Sequence, residues 1–136
     1  MPIEASAKDN LDQQLAKNSV RMQELIEQQY NVEITRSVVL FFSTSDEKCA
    51  KALIKALFAK GMRILTRQPE RDGDTFRIRV GVKRGIRDTV REEFTRDLVE
   101  TAVGMNGHYD GWSLLGDEAA EQAQQHEAAL EPSVHS

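Results

Sequence analysis

The run Val38-Val39-Leu40-Phe41-Phe42 constrains the fold more than any other stretch of this chain. Five consecutive apolar side chains, each β-branched, aromatic or Leu, are too few for a free-standing helix. They read as a strand buried on both faces, hence in the middle of a sheet. Thr44, Ser45, Asp46 and Glu47 follow at once, and Thr44 with Glu47 has the spacing of a capping box that opens a helix. The chain therefore passes from a central strand straight into a helix, and the other segments can be placed around that pair.

Upstream, Leu11, Leu15, Met22, Leu25 and Ile26 fall at helical spacing among polar residues. They predict an amphipathic helix over 11–30 with a narrow apolar stripe. Val32 to Ser43 is the first predicted strand. The next helix, 45–60, groups Cys49, Ala50, Leu53, Ile54, Leu57 and Phe58 on one face and stops at Gly61, a natural left-handed terminator. A short strand over 62–69 holds Ile64 and Leu65, and Glu70 to Asp74 reads as a turn around Asp72-Gly73. From Thr75 to Lys83 the alternation is clean, with Phe76, Ile78, Val80 and Val82 on one face and Arg77, Arg79, Gly81 and Lys83 on the other. The last helix runs from Ile86 or Asp88 to Asn106, with Ile86, Val90, Phe94 and Leu98 recurring every four residues and Thr89 and Glu92 spaced as a second capping box. His108 to Leu115 is the last strand, with Trp112 and Leu114 on one side and Tyr109 and Gly111 on the other.

After the first helix, the order strand–helix–strand–strand–helix–strand is the split βαβ pattern of ferredoxin-like α+β folds. The expected architecture is a four-stranded antiparallel sheet preceded by an extra amino-terminal amphipathic helix. Residues 1–10 form a flexible arm in this reading, 11–116 a single α+β domain, and 117–136 an acidic, disordered tail. Two helices cover only one face of such a sheet. Either Val39 and Phe41, or Val38, Leu40 and Phe42, must then point to the other, and the stripe of the first helix is the expected cover.

Composition narrows the function. The longest apolar run has five residues, far short of the roughly 20 that span a bilayer. The opening MPIEASAKDN lacks a basic start followed by an apolar stretch, so no secretory signal is expected. Cys49 is the single cysteine, which fits a reducing cytoplasm, and on a helix's apolar stripe it reads as an inert packed thiol. His108, His126 and His135 do not cluster, Asp72-Gly73-Asp74 lacks the further ligands of a calcium loop, and no glycine-rich phosphate loop or nucleophile elbow is present. No metal, cofactor or catalytic residue is assigned, and no enzyme is expected.

Charge is uneven along the chain: −1 over residues 1–59, +6 over 60–91 and −9 over 92–136. Two surfaces follow. The first is a basic sheet face carrying Arg77, Arg79 and Lys83, the expected contact if the domain binds RNA. Positions 77, 79 and 81 offer no aromatic for stacking, so the signature of an RNA-recognition sheet is missing. The second is the acidic helix and the strand after it, where Glu92, Glu93, Asp97, Glu100, Tyr109 and Asp110 are the expected partner-binding residues. Within Tyr109-Asp110-Gly111-Trp112, Trp112 reads as the anchor of the last strand and Asp110-Gly111 as a bend or bulge.

Tyr109-Asp110-Gly111-Trp112 after a long acidic helix resembles the end of the regulator of ribonuclease activity B family. The middle is similar too: an apolar strand, Ser45-Asp46-Glu47, then Ala52, Ala56, Phe58 and Lys60-Gly61-Met62. The resemblance spans about residues 19–115. It implies a ferredoxin-like fold and a bacterial, cytoplasmic, non-enzymatic protein. Such a protein would bind an endoribonuclease of the ribonuclease E type, or its degradosome, and alter RNA decay as a monomer or weak homodimer. The alternative is a nucleic-acid-binding module that uses the basic sheet face.

Overall fold

The computed structural model describes residues 3–66 and 68–114, with side chains from Ala7 onward; the expected tail lies outside the described residues. The element order is α1 (Ile3–Glu27), β1 (Thr35–Thr44), α2 (Glu47–Ala59), β2 (Arg63–Ile64), β3 (Glu70–Asp72), β4 (Thr75–Gly85), α3 (Ile86–Thr89), α4 (Glu92–Gly104) and β5 (Gly107–Leu114). The sheet is antiparallel in the order β2-β4-β1-β5, with β3 also paired to β4. That is the split βαβ arrangement with β1 and β4 central, and the sheet gains a fifth strand. The expected strand over 62–69 shrinks to Arg63–Ile64, and Glu70–Asp72, expected in the turn, forms a further strand on β4. The expected five-residue turn shrinks to Gly73-Asp74, with Gly73 at φ 64° between the paired Asp72 and Thr75. Helix α1 begins at Ile3, where a loose arm was expected.

Val38, Leu40 and Phe42 face the helices. With Ile78 and Val80 of β4, Ala50, Leu53 and Leu57 of α2, and Leu98, Val99 and Ala102 of α4, they form one dry cluster. Burying each large side chain there contributes about 1.5–3 kcal/mol. Val39 is as deeply buried but points the other way, paired with Gly81. Leu65 lies over that glycine, its Cδ atoms 3.5 Å from where a Cβ would stand. Leu65 thus covers the second face beside Val39, whereas α1 packs mainly against α4 and β5 and borders that face only beside Phe41. Ile26 stays 51% exposed, and Phe58, expected on the buried face of α2, is 69% exposed.

Two expected capping boxes are replaced. Asp46 caps α2, its carboxylate accepting the Cys49 N–H at 2.7 Å, while the Thr44 hydroxyl donates to the Asp46 carbonyl at 2.8 Å. That backbone bond, followed by a weaker one from the Cys49 thiol, holds the Asp46 carboxyl below its ordinary pKa. The expected continuous last helix is broken at Arg91, whose extended ψ of 145° separates α3 from α4. Thr89 turns back to donate to the Gly85 carbonyl at 2.9 Å and makes no box with Glu92. The four-residue apolar spacing continues across the break, so periodicity alone does not reveal it.

Candidate functional site

Strand β5 is a sheet edge, and α1 closes it with amides. Asn10 is 2% exposed. Its Nδ2 donates to the Tyr109 carbonyl at 2.9 Å and its Oδ1 accepts the Tyr109 N–H at 3.0 Å. The side chain thus supplies the donor and acceptor that another strand would offer. Two turns on, Asn18 accepts the Trp112 indole N–H at 2.9 Å and donates to the Thr95 hydroxyl at 3.2 Å, which ties α1 to β5 and α4 together. Gln14 lies between them at 1% exposure. The buried stripe of α1 is therefore polar at Asn10, Gln14 and Asn18 before it becomes apolar at Leu25. Reading only apolar residues missed it; the spacing i, i+4, i+8 of three carboxamides was the available signal.

The expected partner residues divide. Tyr109 is fully buried, which corrects its reading as a contact residue. The cause is a bulge: Phe41 pairs with Gly111 and Phe42 with Tyr109, so Asp110 is the extra residue. The shift turns Tyr109 to the core side beside Phe42, ring centroids 5.3 Å apart. Burial first, and then the neighbouring Asp110 charge, raise the phenol pKa above its ordinary value. Asp110 stays at the surface, its carboxylate 2.8 Å from His108 Nδ1, while its carbonyl accepts Lys17 Nζ at 3.2 Å.

On α4, Glu93, Asp97 and Glu100 follow at i, i+4 and i+7 and share an exposed stripe. Asp97 is met by Lys60 Nζ at 3.1 Å and Glu92 by Arg96. Glu93 and Glu100 have no partner among the described residues. Glu100 lines a groove between α1 and α4, whereas Asp110 lines one between α1 and β5, so α1 stands between them.

The basic sheet face is present but largely answered from within. Arg77 pairs with Asp72 at 3.2 Å and Arg79 with Glu70 at 3.6 Å, both carboxylates coming from β3. Lys83 is exposed, and Phe41, half-buried on β1 opposite Arg79, puts an aromatic ring on this face. Among the described residues, no group of three or more His, Cys, Asp or Glu is placed to hold a metal ion, and no helix is long and apolar enough to cross a membrane.

Topology and surface together define a ferredoxin-like α+β domain whose first helix seals one sheet edge. A family model described as regulator of ribonuclease activity B matches residues 15–114, and the chain belongs to that family. None of the curated proteins compared matches the chain.

Proposed function

We propose that this protein is a non-enzymatic regulator, bacterial and cytoplasmic, that binds an endoribonuclease of the ribonuclease E type and alters RNA decay by protein contact. The family match over residues 15–114 carries the reading. The exposed stripe of Glu93, Asp97 and Glu100 on α4 supports it as the contact, since it suits a partner segment rich in basic side chains. The competing RNA reading is weakened by β3, whose Glu70 and Asp72 already occupy Arg79 and Arg77.

Binding of the purified chain to ribonuclease E, read by calorimetry, tests the proposal. Glu93→Lys with Glu100→Lys is expected to weaken it by about tenfold or more, as reversing charges at a contact does. Arg77→Glu with Arg79→Glu is expected to leave it within about twofold. Absence of binding by the unmodified chain, or tight RNA binding lost in the double arginine variant, would refute the proposal.

A further inference from the structure

A groove of about 540 Å³ runs between α1 and β5, within the size range of ligand sites. It exists because Gly111, at φ 122°, places no side chain between the helix and the sheet. Phe41, the register partner of Gly111, thereby forms one wall, and Trp112 and the 60% exposed Val20 form others.

Gln14 is the second observation. It lines the groove, yet its Nε2 and Oε1 are both buried and neither has a hydrogen-bond partner among the described residues. The amides one turn to either side, Asn10 and Asn18, are both engaged. Its Oε1 stands 3.3 Å from where a Cβ on Gly111 would be, so the amide rests on the glycine backbone at the floor of the groove. A carboxamide offers a donor and an acceptor side by side, and its natural complement is a peptide bond. The charges around the groove balance, Lys17 and Arg21 against Glu24 and Asp110. A phosphate backbone needs a net positive field, so the balance favours a peptide over RNA.

We infer that this groove holds an extended segment of a protein partner, with a large apolar side chain on Phe41 and Val20 and a main-chain amide against Gln14. The inference rests on the protein-contact reading above but concerns a surface separate from the α4 stripe. Unlike that stripe, it recognises an uncharged segment.

The test titrates the isotopically labelled full chain with acetyl-Gly-Phe-Gly-amide, acetyl-Gly-Ala-Gly-amide and adenosine monophosphate, following the Gln14 carboxamide, Gly111 and Trp112 indole resonances by NMR. The Phe peptide is expected to move all three, with about fivefold weaker binding of the Ala peptide from the lost apolar contact. Gln14→Met keeps the side-chain volume and removes the amide. It is expected to weaken Phe-peptide binding by about tenfold while leaving the unfolding midpoint equal or higher, because an unmet buried amide is lost. Equal shifts from the Ala peptide, shifts from the nucleotide alone, or a Gln14→Met variant that binds unchanged would each overturn the inference. If peptide binding fails while ribonuclease E still binds, the groove is refuted and the protein-contact reading stands. If the peptide binds and the ribonuclease does not, the groove stands and the named partner is refuted.

Discussion

The two edges of the sheet are closed by opposite chemistry. At β5, the amides of Asn10 and Asn18 are buried and bonded to backbone and indole at 2.9–3.0 Å. At the far side, β2 and β3 are two and three residues long, and β3 carries exposed Glu70, Arg71 and Asp72. Short strands and charges discourage edge pairing without a cover. The β5 edge relies on a specific partner, so losing a single bond there leaves backbone groups dry and unmet. The β3 edge relies on solvated ions, which water can replace. Sensitivity to mutation should therefore be concentrated on one edge.

The largest effect is expected at Asn10. Replacement by Ala strands the Tyr109 N–H and carbonyl under α1 and should cost about 2–6 kcal/mol, at about 1–3 per unmet buried group. Chemical denaturation measures this, and hydrogen exchange at Tyr109 should accelerate with it. A loss below about 0.5 kcal/mol, the range of ordinary surface substitutions, would show that α1 is not the edge seal. Gly111→Ala is next. The backbone there has φ 122° and a Cβ would stand 3.3 Å from Gln14 Oε1, so a loss of about 1–3 kcal/mol is expected from strain.

The difference between the edges also marks what the sequence could reveal. The apolar run 38–42, the alternation of 76–82 and the helical stripe of 50–57 follow from burial, and each was legible with its place in the split βαβ order. The Asp110-Gly111 bulge was legible as a bend, but its consequence was not. One extra residue reverses the facing of Tyr109, and that reversal depends on the register against β1. The break at Arg91 was hidden because apolar periodicity is kept on both sides of it. The edge seal was hidden for another reason: Asn10, Gln14 and Asn18 look like solvated residues until a strand is placed beside them. The family resemblance was legible, and the match over residues 15–114 agrees with it. Phe41 on the sheet's second face was one of two alternatives that the sequence left open.

Tyr109 gives a pH test of the same edge. Its hydroxyl is buried without a hydrogen-bond partner among the described residues, so Tyr109→Phe should leave stability at neutral pH unchanged or slightly higher. Burial raises the phenol pKa in the folded state, so the folded chain holds this proton more tightly than the unfolded chain, whose phenol titrates near about 10. The stabilisation from the neutral phenol is complete below that value and is lost as pH rises towards the folded pKa. Stability of the parent chain should thus fall above about pH 10, and the fall should be shallower in Tyr109→Phe. Parallel curves for the two proteins would mean that the phenol is not held dry.

The smallest effect is expected at the other edge. Glu70→Ala with Asp72→Ala removes the carboxylates that meet Arg79 and Arg77 at 3.6 and 3.2 Å, all of these groups being partly or largely exposed. Exposed ion pairs contribute about 0–1 kcal/mol, so the unfolding midpoint should scarcely move. The substitution makes the basic sheet face more positive by two charges, which sharpens the comparison as a test of function. If that face were an RNA surface held in check by β3, affinity for single-stranded RNA should rise steeply at low salt. It should then fall by roughly 0.7 log units per phosphate contact for each tenfold rise in salt. If the face is a solvated surface, with its arginines serving the edge, the variant should bind RNA weakly and without cooperativity, and ribonuclease E binding should be unchanged. Salt-dependent fluorescence anisotropy on a labelled oligouridine separates the two outcomes, and the second is expected.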